Sequence, residues 1–417
     1  MRPDAVALEG AGGRRTYGEL DAAATRAARR LSALGARRGD RIALALPAGA
    51  PFVEVLHGCL RLGAVAVPVD LRLTVAERAA RAAGCALVVD VPPAGPEDRD
   101  APLPGTHDLG ATAVVVHTSG TTGAGRPVQL TYANWLWSAL GSAVALGLDE
   151  DERWMCALPL SHVGGLSILL RSAIYATTVV LHERFDAQAI ARELSAGACT
   201  LISVVPTTLA RLLDAGLQRP GTLRAALVGG GPIAPALLER AAAAGVPCVS
   251  TYGLTEACSQ VTTGGPPLFC TRVRIAGDGE ILVAGPTVAP GSVAADGWLH
   301  TGDLGALDEA GNLTVTGRAA DTIVTGGENV APAEVEAVLA SHPAVADVAV
   351  HGVADPQWGE AIVATIVQRP GGTATAQELE GYCRVRLAPF KVPKVFRFSL
   401  DLPRTQSGKL LRRDLEE

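Results

Sequence analysis

Short β-branched runs alternate with segments whose apolar residues recur every three or four positions, and this alternation governs most of the chain. "RIALAL" is followed by the amphipathic "PFVEVLHGCLRLG", then by "AVAVPV", a helical stretch from Thr74, and "ALVVD". The alternation resumes at "ATAVVV" and continues through "TTVVL", "TLISVVP", "LRAALVGG" and "VPCVSTYG". Such a pattern predicts layered α/β units with largely parallel strands. The polar, Pro-rich stretch 91–106, "VPPAGPEDRDAPLPGT", reads as a surface loop between two units. From about Arg272 to Thr316 short strands separated by Gly predict a small β-barrel or distorted sheet. After "GRAAD" a separate α+β pattern begins, with a helix from Pro332, strands at "VADVAV" and "AIVATIV", and a helix from about Ala376. The expected fold class is α/β. A large N-terminal domain of layered α/β subdomains plus the small β-barrel spans residues 1–320, and a small α+β C-terminal domain spans 321–417. Ala-rich tracts such as "ALLERAAAAG" read as helices, not repeats.

Composition narrows the class. With 417 residues the chain exceeds what one core usually supports, and 48% hydrophobic against 19% charged residues is the balance of a globular protein. No run of about 18 apolar residues predicts a membrane span. The opening "MRPDAVALEG" lacks the apolar stretch of a secretory leader, so a cytoplasmic location and no membrane partner are expected. The eight Cys form no C-x-x-C and no metal-ligand spacing, and they read as small buried apolar residues of a reduced compartment. A net charge of −6 argues against nucleic acid as a partner. Only three lysines occur, Lys391, Lys394 and Lys409. In an Arg-rich chain a retained Lys points to a place where a compact ammonium is needed.

Chemistry enters at "VVVHTSGTTGAGRPVQL", 114–130, a β-branched run that opens into Ser, Thr and Gly. A Gly-rich turn after a strand presents backbone N–H groups to phosphate oxygens. Neither G-x-x-x-x-G-K-[ST] nor a G-x-G-x-x-G opening a helix is present. The loop suits a nucleotide, but in neither of those two folds.

"HTSGTTG" (117–123), "GGGP" (229–232), "TYGLTE" (251–256), "TGD" (301–303), "GRAAD" (317–321), "GGENVAPAEVE" (326–336) and "LPRTQSGKLLRR" (402–413) follow one another in this order. Together they resemble the adenylate-forming superfamily of acyl-CoA synthetases, adenylation domains and luciferases, nearly end to end. The resemblance implies joining a carboxylate to AMP and then passing the acyl group to a thiol, with ATP, Mg²⁺ and coenzyme A as cofactors. It implies that Thr118, Ser119, Gly120, Thr121, Thr122 and Gly123 wrap the β- and γ-phosphates. Arg126 stands where such families usually carry Lys. Gly229, Gly230, Gly231, Tyr252 and Gly253 would meet the adenine, Thr255 the α-phosphate, Glu256 the Mg²⁺, Asp303 the ribose hydroxyls, and Arg318 the ribose or phosphate. Lys409 would bridge the carboxylate and the α-phosphate. Asp321 matches the hinge about which a mobile C-terminal domain turns, bringing Gly326 and Gly327 to the thiol.

"LPLSHVGGLSILLRSAIYATTVVLHERFD" (158–186), "TLISVVPTTLARLLD" and "KVPKVFRF" are most similar to the ligases that activate o-succinylbenzoate in menaquinone biosynthesis. On this likeness His162 gates or contacts the acyl group. The second carboxylate of such a substrate needs a donor partner, for which Arg171, Thr207, Ser259 and Gln260 are candidates; a helix from Gly164 could equally turn Arg171 to solvent. The expected partner is thus a small-molecule carboxylate, with a homodimer left open. Another aryl- or acyl-CoA ligase, a stand-alone enzyme loading a carrier protein, and a silent binding protein are the alternatives.

Overall fold

Thr16, Thr74, Thr131 and Thr375 each start a helix in the same way. The threonine hydroxyl accepts from the backbone N–H three residues on, and the side chain there, Glu19, Glu77, Asn134 or Glu378, returns to the threonine N–H. These reciprocal pairs satisfy amides that a helix start leaves open. Gly63 closes helix Ala50–Leu62 in the left-handed conformation at φ 74°, a place that favours glycine. Local sequence therefore marks several element ends.

The computed structural model describes residues 2–118, 125–404 and 410–415, without the Arg413 side chain. Ser119, Gly120, Thr121, Thr122, Gly123 and Lys409, all expected site residues, lie outside the described residues.

Four sheets organise the described residues. In the first, Leu87–Val89, Arg41–Leu44, Val65–Pro68 and Thr112–His117 run parallel, and Pro127–Thr131 returns antiparallel to Thr112–His117. In the second, Cys248–Leu254, Ala225–Val228, Leu201–Val204, Arg153–Cys156, Thr178–Leu181 and Val6–Gly10 lie parallel in that spatial order, with antiparallel edges at Ser259–Thr263 and Gly13–Thr16. Parallel strands need cover on both faces, which is why they read as unbroken apolar runs. Helix Ala50–Leu62 presents Phe52, Val53, Leu56 and Cys59 to the core it shares with Leu31, Ile42 and Leu166. Each such buried aliphatic side chain contributes roughly 1.5–3 kcal/mol.

The short Gly-separated strands form the third sheet, Arg272–Ile275, Glu280–Ala284, Leu299–Leu307 and Leu313–Arg318, antiparallel throughout. Of the two forms expected here it takes the distorted sheet: the strand order is open, and the register slips between Glu280 and Leu282 and between Leu304 and Gly305. Such bulges bend a short strand away from regular pairing.

The fourth sheet holds Glu328–Val330, Ile323–Thr325, Gly359–Gln368, Val345–Asp355 and Val395–Ser399. Helices Pro332–Ala340 and Ala376–Arg384 supply Val335, Leu339, Leu379 and Cys383 to its core, which includes Val350, Ile362 and Ile366 and is separate from the others. Its last segment is tied down by charge. Arg404 bonds to Asp347 at 2.8 Å, and Arg412 forks to Asp321 at 2.9 Å and to Glu336 at 2.7 Å.

All eight cysteines are free; Cys59, Cys156, Cys199, Cys258 and Cys383 are buried as expected, whereas Cys85, Cys248 and Cys270 are only partly so. Among the described residues no helix is long and apolar enough to cross a membrane.

Candidate active site

Parallel α/β sheets offer their ligand crevice beyond the carboxyl ends of the strands. Four expected motifs emerge there: the phosphate loop after Thr112–His117, the Gly229–Gly231 run after Ala225–Val228, Thr255 and Glu256 after Cys248–Leu254, and His162 beyond Arg153–Cys156.

The phosphate loop is closed at its neck. The Thr118 N–H donates to the Arg126 carbonyl at 2.9 Å, and the Arg126 N–H donates to the Thr118 hydroxyl at 3.2 Å. Thr118 thus spends its polar groups on closing the loop. Arg126 then reaches across to the second sheet, where its Nη2 meets Glu256 Oε1 at 2.9 Å. The loop cation and the expected Mg²⁺ ligand, far apart in sequence, are brought together. Glu256 lies in the turn Thr255–Ala257, followed by Cys258 and Ser259 at φ 52° and 92°, an uncommon backbone for non-glycine residues. Ser138 braces that turn by donating to the Cys258 carbonyl at 2.6 Å.

Asp303 is buried and held on both oxygens. The Tyr252 hydroxyl donates to Oδ2 at 2.8 Å, and Arg318 Nε pairs with Oδ1 at 2.8 Å. Asp303 and Arg318 face each other across adjacent strands, so the register of the third sheet makes the pair. A carboxylate has about four lone-pair positions, so acceptor capacity for two hydroxyls remains. Burial, followed by the Asp303 charge, raises the Tyr252 hydroxyl above its ordinary range, so it stays a donor.

The glycine run plays a mixed role. Gly229 lies against Thr251, where a Cβ would overlap the threonine side chain, Gly230 takes φ +79°, and a Cβ on Gly231 would meet no atom of the described residues beyond its chain neighbours. A Cβ on Gly253 would collide with the Ser259 carbonyl, so packing alone accounts for that glycine. Gly326 and Gly327 form the two-residue turn between Ile323–Thr325 and Glu328–Val330 with φ 60° and 84°, a hairpin turn that requires positive φ at both positions.

His162 occupies the N-cap position of helix Val163–Tyr175, without a capping bond from its side chain. Its Nε2 lies 3.8 Å from Asp70 Oδ2. Burial lowers the imidazole pKa, Asp70 offsets part of this, and Arg72 and Arg81 lower it further. Arg171 does not face solvent. It is 3% exposed, donates to Ser138 at 2.9 Å, lies over the Trp154 ring, and leaves its Nε without a hydrogen bond among the described residues. Among the described residues the Gln260 side-chain oxygen is also buried without a partner. Asp70, Arg72, Arg81 and Ser138 were missed by sequence reasoning; they belong to no motif, and only tertiary contacts reveal them.

Among the described residues no group of three or more His, Cys, Asp or Glu is placed to hold a metal. One carboxylate still fits Mg²⁺, which is commonly held by one or two carboxylates together with substrate phosphates and water. Glu256 already meets one cation here, the Arg126 guanidinium at 2.9 Å.

The AMP-binding enzyme family matches residues 1–105 and 88–293, and the AMP-binding enzyme C-terminal domain matches 334–409. The 2-succinylbenzoate–CoA ligase of Bacillus licheniformis is 39% identical, over all of this chain and 97% of its own length. The chain belongs to the AMP-binding enzyme family. Within that family, the o-succinylbenzoate CoA synthetase of Bacillus subtilis in complex with its acyl-adenylate intermediate superposes with a TM-score of 0.92, at 38% identity, over 100% of this chain and 96% of that one. The same B. subtilis protein with ATP and magnesium gives 0.89, at 37% identity, over 100% and 97%. The large and small domains of this AMP-binding enzyme thus follow the family's mixed α/β architecture. The alignment to the B. licheniformis protein spans 466 positions for 417 residues here, so that relative carries segments this chain lacks. The two family matches overlap at 88–105, within the Pro-rich loop region.

Proposed function

We propose that this enzyme is an AMP-forming 2-succinylbenzoate–CoA ligase, which adenylates its carboxylate with ATP and then transfers the acyl group to coenzyme A. The observation that carries this reading is the 39% identity to a 2-succinylbenzoate–CoA ligase along the whole chain. We place the domain boundary at 320/321, between strand Leu313–Arg318 and strand Ile323–Thr325.

The central difficulty of the reaction is bringing anionic ATP and a carboxylate together. The loop that Thr118 closes, Ser119 to Gly123, holds the phosphates with Arg126, Tyr252 and Gly229 to Gly231 border the adenine, and Asp303, set by Tyr252 and Arg318, takes the ribose hydroxyls. Thr255 donates to the α-phosphate. Glu256 holds Mg²⁺, whose chemistry is to neutralise phosphate oxygens. Lys409 bridges carboxylate and α-phosphate as the bond forms. His162, largely neutral because burial lowers its pKa, borders the acyl group. The buried guanidinium of Arg171, its Nε without a partner among the described residues, is the donor for the remaining carboxylate of the acid, and Gln260 is a neutral candidate. Gly326 and Gly327 line the thiol path. A cytoplasmic site of action and a homodimer complete the proposal; light scattering reads the second.

The deciding experiment is incubation with ATP, Mg²⁺ and a panel of carboxylic acids, with and without CoA, reading AMP, acyl-AMP and thioester by mass spectrometry. Selective thioester formation from o-succinylbenzoate is the expected result. A different preferred acid overturns the substrate, and adenylate accumulation with CoA ignored overturns the acceptor in favour of a carrier protein.

A further inference from the structure

Helix Val75–Ala82 buries none of its residues, so packing does little to dictate its sequence. Arg81, in its last turn, nevertheless points inward. Its Nη1 donates to the Thr118 carbonyl at 3.5 Å, and its guanidinium lies against Gly125, where a Cβ would overlap it and the Thr118 carbonyl together. The neck of the phosphate loop thus has a cation packed on it from a helix that no motif covers.

Among the described residues Arg81 has little else to bind. The carboxylates whose charges act on it, Glu77 and Asp70, are each taken by nearer donors: Glu77 by Thr74, and Asp70 by Arg72 in a two-pronged bond. No ion pair joins Arg81 to a carboxylate among the described residues. A guanidinium carries about five N–H donors in a planar fork, and one long bond to a carbonyl leaves most of them unused. Arg81 is only partly buried, and an anion reaching it would take those donors in charge-assisted bonds. Arg126, by contrast, is already bonded to Glu256.

We propose that Arg81 is a second phosphate-binding arginine, which leaves the Thr118 carbonyl for the β- and γ-phosphate oxygens of ATP and then holds the departing pyrophosphate. The proposal rests on the ATP-dependent reading above. In adenylation a substrate carboxylate oxygen bonds to the α-phosphorus while the bond from that phosphorus to the bridging oxygen breaks. Pyrophosphate leaves with the electron pair, and Arg81 offsets the charge that builds on it. Two arginines from different elements then do what one loop lysine does in the sequences this chain resembles. Gly125 fits the same picture, since any side chain there would displace Arg81.

The test is calorimetric titration of the full chain with ATP, inorganic pyrophosphate and AMP, using wild type, Arg81→Ala and Arg81→Lys. Loss of a charge-assisted phosphate contact predicts affinities for ATP and pyrophosphate weakened about tenfold or more in Arg81→Ala, with partial recovery in Arg81→Lys and AMP binding unchanged. Unchanged ATP and pyrophosphate affinities overturn the proposal, as does an equal loss for AMP, which would mark a general structural effect. A raised KM for the carboxylic acid with pyrophosphate affinity intact places Arg81 on the acyl side and also overturns it. If Arg81→Ala does not fold, Arg81→Gln replaces it in the same titrations. Failure of the ATP-dependent reading shows separately, as a wild type that makes no acyl-AMP and binds neither ATP nor pyrophosphate.

Discussion

The Tyr252 hydroxyl donates to Asp303 Oδ2 at 2.8 Å, joining the last parallel strand of the second sheet to the antiparallel third sheet where we propose that the ribose sits. Hydrogen bonds to charged groups are worth about 1.5–3 kcal/mol. Tyr252→Phe should therefore lower the unfolding free energy by about 1.5 kcal/mol in urea titration and raise the KM for ATP. Unchanged values of both would remove Tyr252 from ribose positioning.

Glu256→Gln keeps the shape of the side chain but removes the charge that holds Arg126 and, by proposal, the metal. Adenylation should need far more Mg²⁺ for half-maximal rate. An unaltered Mg²⁺ titration curve would exclude Glu256 as the ligand.

Lys409→Ala should slow acyl-AMP formation by about 10²-fold or more, the usual cost of deleting a preorganised donor. Thioester formation from preformed acyl-AMP should persist. Loss of both half-reactions to the same degree would contradict the bridging role.

Gly327 sits at φ 84°, with open space where a Cβ would point. A Gly327→Trp variant combines backbone strain with obstruction, so Gly327→Asn, which tolerates this conformation better, serves as its control. Thioester formation should fall in the Trp variant only, with adenylation spared in both. If the Asn variant loses as much, the turn itself matters, and not the path beside it.

His57 lines a small apolar cavity with Leu20, Val53 and Leu169, and burial pushes its pKa down to about 4. The unfolded chain, near 6.5, binds the proton more readily, so stability falls as pH drops from about 6.5 towards 4. His57→Leu should reduce the stability lost between pH 7 and pH 5 by about 2 kcal/mol, measured by urea titration at the two pH values. An unchanged pH dependence would show that His57 is not a source of acid sensitivity.

What could be read from the sequence was local. Thr74 before a Glu three residues on, Gly63 after an amphipathic run and Pro332 at a helix start declare their elements within a few residues, and the structure has all three. The motif order likewise announced the family. Contacts between distant segments gave no such signal. Arg81 meets Thr118 across 37 residues and Arg126 meets Glu256 across 130, and nothing in the intervening spacing encodes either approach. The inward turn of Arg171 was equally hidden: helical periodicity places a residue on a face, but only the packing of Trp154 and Ser138 shows which way that face looks.

The ion pairs at the close of the chain act as a mechanical linkage. Arg404 and Leu410 are bridged to each other, Arg404 is fastened to Asp347, and Arg412 to Asp321 and Glu336. Both flanks of the 405–409 segment are thus bolted to the small domain, one of them directly to the proposed pivot. Turning that pivot works like swinging a crank: Arg404 and Arg412, fastened to Asp347, Asp321 and Glu336, travel with the small domain as one arm.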